Sequence, residues 1–440
     1  MAQTTEPSAT GFQSVQSPLE QIETIVQARA KAASIDVDSA TGAKLLRSLI
    51  EEAVREWTED NSRGGTNREI SDPEGLIERA FKNLALYGPL TELLDDDDVW
   101  EVMVNAPDLI FVRRHSVGSG FHSEVFHDND HVVRTITKLL DDSGTSHRKL
   151  DPSEGLQDAQ LHTGARVHIV HGDIARGGNL MINIRKFSGV SINRLEELVS
   201  RGSMSAQAAE FLRAAVRSRL SIVFAGAPGA GKTTLLSCCA AELDPTLRAV
   251  IAEEVFECDV PLMNVASMQT RPPRSERDEV DLRRLVAGFL RMAPDVAIVG
   301  EVRDKEALPL LLTLSSGVTG YTTIHSASAR AALTRLRFLA QLSDQRDLSV
   351  AAINSLVSEA VDLVVHTERG PDGPRVSEII AVEDLVAGPD SVAFTTTGLF
   401  ARDSSGDLVA TGEVPLRSAN KLARFGYDIR TLISEPARSR

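Results

Sequence analysis

The 440-residue chain has little cysteine, and this scarcity limits the kinds of site it can build. Cys238 and Cys239 are neighbours, and Cys258 stands apart from them. Three thiols in this arrangement make neither a disulfide framework nor a four-cysteine zinc site. The composition therefore favours a reducing, cytoplasmic compartment.

The chain also lacks an excess of positive charge. It has 47 lysines and arginines against 62 aspartates and glutamates, which gives a formal net charge of −15 at pH 7. A surface of this sign repels phosphate backbones and anionic lipids. We therefore expect no nucleic-acid partner, although a basic lumen inside a ring of subunits would be compatible with an acidic total.

Long apolar runs are absent as well. Only residues 307–329 continue for long without a charge, and proline, glycine, histidine and many hydroxyl side chains interrupt them. A membrane span needs about 20 predominantly apolar residues, so we predict a buried helix followed by a strand. Residues 1–20 lack a basic stretch followed by an apolar core, and we expect a disordered lead rather than a secretory signal.

The length and the 42% hydrophobic residues allow two or three domains. Apolar residues at helical spacing predict an amphipathic helix from Ala43 to Trp57, which would either pack in a core or dock a partner. The sequence divides into four segments: a disordered lead with a helical segment at 1–70, an α+β domain at 71–198, a doubly wound domain with a mostly parallel sheet at 199–362, and a C-terminal extension at 363–440 with short strands such as 377–382 and 392–397.

A glycine-rich loop in the third segment indicates a phosphate-binding site. The loop Gly226-Ala227-Pro228-Gly229-Ala230-Gly231-Lys232-Thr233 has the spacing G-x-x-x-x-G-K-[ST], and it follows an apolar strand at 220–225. Glycines let the backbone N–H groups point at phosphates, and the N-terminus of the next helix adds its positive dipole end. We expect Lys232 to reach the β- and γ-phosphates and Thr233 to bind Mg²⁺.

Two acidic positions follow apolar strands and are candidates for hydrolytic chemistry. Glu301 comes directly after the apolar segment 296–300, and Glu253 opens an acidic cluster that follows the strand candidate 247–252. Strand ends of a doubly wound sheet meet at the ligand-binding edge, so both carboxylates should lie near the phosphates and Mg²⁺. We assign Glu301 as general base. The alternatives are a helix cap for Glu301 and ordinary surface acidity for Glu253.

These motifs resemble, in their order, the secretion ATPase superfamily that powers type II secretion, type IV pili and type IV secretion. Among its branches the chain is most similar to the tight-adherence (Flp) pilus motors of the CpaF/TadA type. The four family motifs correspond to a phosphate loop at Gly226–Thr234, an acidic box at Glu253–Glu257, a Walker B strand at Val296–Arg303 and a His box at Gly320–His325. Further similarity to the family's N-terminal domain lies at Tyr87–Leu90, Glu101–Asn105, Asp158–Ala159, Gly164–Val167 and Ile184–Phe187.

The resemblance covers residues 72 to 425 and implies an α/β protein, in which a RecA-like P-loop NTPase domain follows a smaller α+β domain. It further implies ATP hydrolysis with Mg²⁺ by a homo-oligomer, a hexameric ring. Such a ring would be cytoplasmic and held at the inner face of the membrane through partners, above all the inner-membrane platform protein of a pilus or secretion system.

The resemblance also assigns roles to four further residues. Arg166 and Arg185 occupy the positions of arginines that reach the nucleotide phosphates from the N-terminal domain, and Arg303 would act toward a neighbouring site. His325 would sense or position groups near the active site. Surface salt bridges are the alternative for the arginines, and a hydrogen-bonded core histidine is the alternative for His325.

Some positions depart from the family pattern. The loop carries Ala227-Pro228 and Ala230 where the family more often has glycine, threonine and serine, and Glu254 replaces an aspartate. The four-cysteine zinc element of type II extension ATPases is absent from the sequence. Two alternative functions are also compatible with the sequence. One is a nucleic-acid translocase or conjugation-type secretion ATPase, and the other is a regulatory subunit that binds nucleotide without turnover.

Overall fold

A computed structural model of the chain describes residues 17–63, 70–114, 119–143, 149–186, 192–271, 278–343, 348–370, 373–384 and 393–434. The chain divides into two compact units, Met1–Val190 and Ser191–Arg440. Residues 1–16 of the predicted lead, Phe187 of the family motifs and the start of the predicted strand at 392 lie outside the described residues.

Three helices form a small helical layer in the first unit: α1 Pro18–Ala32, α2 Ala40–Arg63 and α3 Pro73–Ala85. The predicted helix at 43–57 is confirmed as part of α2, and its residues Ile50, Val54 and Trp57 are buried against α1 and α3. Helix α1 was not predicted from the sequence. Ser17 and Glu20 nevertheless form a capping box there, with Pro18 in the first turn.

An antiparallel sheet and one long helix complete the first unit. The elements are α4 Thr91–Asp95, β1 Val99–Ala106, β2 Leu109–Arg114, β3 Gly120–Phe121, α5 Asn129–Asp142, β4 Leu156–Gln160, β5 Arg166–Val170 and β6 Met181–Arg185. The strand order is β3-β2-β1-β6-β5-β4. Val132, Ile136 and Leu139 of α5 share a core with the inward-facing residues of these strands. This is the predicted α+β architecture.

The second unit is built on a sheet of nine described strands. Its elements are α6 Leu195–Ser200, α7 Ala206–Arg217, β7 Ile222–Gly226, α8 Lys232–Ala240, β8 Arg248–Glu253, β9 Asn264–Gln269, α9 Leu282–Ala287, β10 Val296–Val299, α10 Ala307–Ser315, β11 Thr319–His325, α11 Ala329–Gln341, α12 Val350–Ala360, β12 Leu363–Gly370, β13 Gly373–Val382, β14 Thr396–Arg402, β15 Leu408–Ala410, α13 Leu416–Arg424 and α14 Ile429–Ile433. The strand order is β15-β14-β13-β12-β7-β11-β10-β8-β9.

Six neighbouring strands of this sheet are parallel: β12, β7, β11, β10, β8 and β9. Strands β13, β14 and β15 extend the sheet next to β12 with antiparallel pairing. Alternate residues of β7 belong to opposite layers: Phe224 packs with α7 and α8, whereas Val223 and Ala225 pack with α10 to α12. Burial on both faces explains why the central strands are continuous apolar runs. The predicted α/β class with a mostly parallel sheet is confirmed.

The segment 307–329 forms α10, β11 and the start of α11, which confirms the predicted buried helix and strand. Across the described ranges, no helix is both long enough and apolar enough to span a bilayer.

The sequence predicts that residues 363–440 form a C-terminal extension separate from the parallel sheet. In the structure β12 pairs with β7, the strand that precedes the glycine-rich loop, so β12 to β15 belong to the same sheet. The predicted strand 377–382 lies within β13. The strand expected at 392–397 instead begins at Thr396, because pairing with β13 starts there, opposite Val382.

Candidate nucleotide-binding site

The parallel strands bring most of the predicted site residues to one edge of the sheet. His325 at the end of β11 lies opposite Gly226 at the end of β7, and β10 ends at Val299 opposite Ala252 of β8. The glycine-rich loop, Glu253, Glu301 and His325 therefore follow adjacent strands at the same edge, which is where open α/β sheets bind ligands.

The loop itself depends on glycine at three positions. Gly226, Gly229 and Gly231 have φ values of +153°, +72° and +80°, a region that side-chain-bearing residues rarely adopt. A Cβ at Gly226 would lie 2.3 Å from the carbonyl oxygen of Thr367, so this position has no room for a side chain either. Helix α8 begins at Lys232, directly after Gly231, which provides no side-chain cap. The N-terminus of this helix therefore lies at the end of the loop, and helix N-termini favour bound anions.

The unusual alanines and proline of the loop have different environments. Ala230 is buried, and its N–H donates to the carbonyl of Ala227 at 3.2 Å, which closes the turn. Ala227 and Pro228 are exposed at the start of the loop. The burial of position 230 explains why its side chain is small. Nothing in the structure explains the proline at position 228.

The loop lysine is buried and points back into the protein. Its Nζ donates to the carbonyl of Ala227 at 3.0 Å and lies 3.2 Å from Nδ1 of His325. Thr233 and Thr234 follow it in the first turn of α8, and both are half-buried.

Glu301 lies at the centre of a charged cluster. One carboxylate oxygen is 2.9 Å from Nε2 of His325, and the other accepts a hydrogen bond from Arg303 Nη2 at 2.8 Å. Burial alone would raise the pKa of Glu301, but contacts with His325 and Arg303 outweigh it and hold the pKa at about 2. The hydrogen bond to Glu301 likewise raises the pKa of Arg303.

Arg303 was predicted to act toward a neighbouring site, and within the chain it pairs with two carboxylates. Its Nη1 donates to Glu254 at 2.7 Å while Nη2 holds Glu301. One guanidinium therefore bridges the ends of β8 and β10. This bridge was not predicted, although Glu301 and Arg303 are only two residues apart in the sequence.

Glu253 is held in a different way. Its side chain is buried, and one oxygen accepts hydrogen bonds of 2.9 Å from the backbone N–H groups of Glu257 and Cys258. Burial raises the pKa of this carboxyl, although the two N–H groups act in the opposite direction. The second oxygen is buried and has no hydrogen-bond partner within the described part of the chain. It is thus a buried acceptor at the end of β8.

The described residues contain no group of three or more histidine, cysteine, aspartate or glutamate side chains arranged to hold a metal. Mg²⁺ bound with nucleotide needs fewer protein ligands, because phosphates and water supply most of its oxygen shell. The hydroxyl of Thr233, Glu301 and the unpaired oxygen of Glu253 are the donor types that such an ion takes. These residues therefore fit Mg²⁺ carried in with a nucleotide.

Arg166 and Arg185 lie in the first unit. Arg166 begins β5 and Arg185 ends β6, and the two are register partners on adjacent antiparallel strands. Arg185 is exposed and Arg166 is half-buried. The structure brings these two arginines together, as two cations at one end of the sheet.

A phosphate loop between the central strand of a mostly parallel sheet and helix α8, with acidic residues at the neighbouring strand ends, defines a P-loop nucleotide-binding protein. The family model described as "Type II/IV secretion system protein" matches residues 84–370. The chain belongs to this family.

The chain is also similar to individual known proteins. The chain is 33% identical over 306 residues to the conjugal transfer protein TrbB of Rhizobium radiobacter, which covers 68% of this chain and 88% of the relative. It is 30% identical over 304 residues to the type IV secretion system protein PtlH of Bordetella pertussis, covering 63% and 87%. The solved VirB11 ATPase of Brucella suis is 26% identical, covers 66% of this chain and 94% of its own, and has a TM-score of 0.36.

Proposed function

We propose that this chain is an ATP-hydrolysing motor of a pilus or secretion system. The observation that carries the proposal is the connection of the phosphate-loop lysine to the strand-end carboxylate: Lys232 contacts His325, and His325 contacts Glu301. A protein that only stored nucleotide would need the loop but not a carboxylate positioned beside it.

Binding would begin at the loop. Backbone N–H groups of the loop and the N-terminus of α8 would bind the incoming phosphates. Lys232 would exchange the carbonyl of Ala227 for oxygens of the β- and γ-phosphates, and this move would release its contact with His325. Mg²⁺, held by Thr233 with Glu253 and Glu301 nearby, would supply positive charge to the phosphates.

Glu301 is our candidate for positioning the attacking water and accepting its proton. With a pKa of about 2 it is ionised but a poor proton acceptor while Arg303 and His325 hold it. A γ-phosphate would compete for both partners, since it is an anion that forms strong hydrogen bonds with arginine. In this proposal the arrival of ATP frees Glu301 and raises its pKa toward the range of a working base.

Arg166 and Arg185 are proposed to hold the γ-phosphate from the first unit. The two arginines are register partners on adjacent strands, so one phosphate could contact both guanidinium groups. Arginine suits this role because its planar fork grips two oxygens at once. Closure on ATP and release after hydrolysis would then be the mechanical step.

The remaining parts of the proposal concern the assembly. A homo-oligomeric, hexameric ring at the cytoplasmic face of the membrane would act on an inner-membrane platform protein, and the tight-adherence pilus branch is our first choice. TrbB is named as a conjugal transfer protein, and its similarity favours a conjugation-type secretion ATPase as the second. In either case, the net charge of −15 disfavours direct binding of nucleic acid by this chain.

Phosphate release by the purified chain tests the proposal. We expect Mg²⁺-dependent ATP hydrolysis by a hexamer sized by light scattering, loss of hydrolysis in Lys232→Ala, and no stimulation by DNA. An oligomer that binds ATP without turnover would make the chain a regulatory subunit. Deletion of the coding region, followed by electron microscopy for pili and an assay of secreted protein, separates the pilus motor from the secretion motor.

A further inference from the structure

The hairpin formed by β12 and β13 lies directly against the phosphate loop. β12 pairs with β7 up to Thr367, opposite Gly226, and then continues past the end of β7 through Glu368, Arg369 and Gly370. The hairpin therefore projects beyond the sheet edge at the point where the loop leaves β7.

Three loop glycines face this hairpin. A Cβ at Gly226 would meet Thr367, a Cβ at Gly231 would come within 2.9 Å of Pro374, and a Cβ at Gly229 would be 3.7 Å from Nη1 of Arg369. The first two contacts leave no room for a side chain. The third places an exposed guanidinium next to the middle of the phosphate-binding turn.

The part of the hairpin that carries Arg369 is fixed to the rest of the unit. Ser203 Oγ donates to the carbonyl of Pro374 at 2.8 Å, and the N–H of Val376 donates to the carbonyl of Ser203 at 2.8 Å. Arg375 binds Glu368 across the hairpin at 2.7 Å. Arg369 is thus carried by a strand with a defined position, which is the condition for a precise contact.

The position of Arg369 in the sheet order indicates which part of a nucleotide it faces. His325 and Glu301, which follow β11 and β10, lie on one side of β7, and β12 lies on the other side. Lys232 and Glu301 define the γ-phosphate side of the site in the proposed function. A phosphate chain that crosses the loop therefore presents its α-phosphate and nucleoside toward the hairpin.

We propose that Arg369 is a nucleotide-binding residue that contacts the α-phosphate of the bound nucleoside di- or triphosphate. The contact deepens the proposed function and rests on it. Because ATP and ADP share the α-phosphate, Arg369 contributes equally to both complexes and does not discriminate the substrate from the product. It acts in binding, whereas Glu301 acts in turnover.

The test compares Kd values for ATP and ADP, measured by titration calorimetry on the full chain. Arg369→Ala is expected to weaken both nucleotides by about tenfold, the value of one charge-assisted hydrogen bond at a partly exposed site. The KM for ATP should rise by about the same factor as the Kd, because binding shared by ground and transition states enters KM. Arg369→Lys gives an intermediate loss, since lysine keeps the charge without the fork.

Arg424→Ala is the matched control. It removes the same charge from the end of α13, whose Lys421 binds Asp362 next to the start of β12, at the opposite edge of the sheet. Its Kd values should equal those of wild type. Unchanged binding in Arg369→Ala, or a loss confined to ATP, overturns the α-phosphate contact while wild type still binds and turns over. A wild-type chain that binds neither nucleotide overturns the proposed function itself.

Discussion

The ends of β8 and β10 carry the same residue type at the same edge of the sheet, yet their surroundings differ completely. Glu253 is buried, and this burial raises its pKa even though two backbone N–H groups act in the opposite direction. Glu301 is held by a guanidinium and an imidazole, and its pKa falls to about 2. Two carboxylates whose environments push their pKa values apart are suited to different tasks. We infer that Glu301 serves the reaction and that Glu253 organises the loop behind it.

The largest effect expected from this comparison is on turnover. Glu301→Gln keeps the shape of the side chain but cannot accept a proton, so kcat should fall by about 10²–10³-fold while the ATP Kd changes little. Single-turnover phosphate release measures this. Glu254→Gln is the control, because Glu254 also binds Arg303 but lies exposed. Retained turnover in Glu301→Gln would transfer the role of base to Glu253.

Lowering the pH should change the contributions of the two glutamates to the free energy of unfolding in opposite directions. The folded pKa of Glu301 lies below the unfolded value of 4.5, so its stabilisation is present above pH 4.5 and is lost as the pH falls toward 2. That difference in pKa corresponds to at most about 3 kcal/mol. The free-energy gap between wild type and Glu301→Gln should therefore narrow in acid.

Glu253 should behave in the opposite way. Its folded pKa is raised, so ionisation costs stability above that pKa, and the cost disappears as the pH falls below it. Wild type should gain stability relative to Glu253→Gln between pH 7 and about pH 4. Chemical denaturation of both variants over this range provides the measurement. Gaps that move in the same direction for both glutamates would contradict the assigned environments.

Truncation at the buried glutamate tests what it holds. Glu253→Ala removes the acceptor for the N–H groups of Glu257 and Cys258 and should lower the free energy of unfolding by about 2 kcal/mol. The neighbouring exposed change Glu254→Ala should cost less than about 0.5 kcal/mol. Equal losses from the two variants would mean that Glu253 organises nothing beyond its own side chain.

The smallest effect, a modest loss of stability, should come from Gly300, which precedes Glu301 in the chain and packs against Glu253. A Cβ at Gly300 would lie 2.9 Å from Cγ of Glu253, so Gly300→Ala should displace Glu253 and destabilise the fold by about 1 kcal/mol. Gly398→Ala on β14 is the matched control, because its Cβ would find only Thr411 at 3.9 Å. Thermal unfolding of the pair isolates the steric contact from the general effect of adding a methyl group.

The sequence could predict the edge where the site forms, because parallel strands bring their carboxyl ends together whatever their order. This placed the phosphate loop, Glu301 and His325 correctly relative to their strands. Sequence could not predict that β12 pairs with β7, since a partner distant along the chain leaves no local pattern. The hairpin was therefore assigned to a separate extension, and Arg369 was overlooked as a neighbour of Gly229.

Side-chain partnerships were also beyond the sequence. Arg303 could have pointed toward another subunit or back toward Glu301, and only the fold, by placing Glu254 on its other side, shows the bridge. The helix at Pro18–Ala32 is a different case, because its capping box was legible in Ser17 and Glu20. Helix α1 could therefore have been predicted from its capping residues. The pairing of β12 with β7 could not, because the local sequence does not contain that information.

The order of the second sheet places β7 fifth among the nine described strands, with four on each side. Strands at the rim of a sheet fray first, and opening proceeds inward only at increasing free energy. Amide hydrogens of β7 should thus exchange only when the whole unit unfolds, whereas those of β9 and β15 exchange through local fluctuations. The phosphate loop is therefore attached to the strand that we expect to open last.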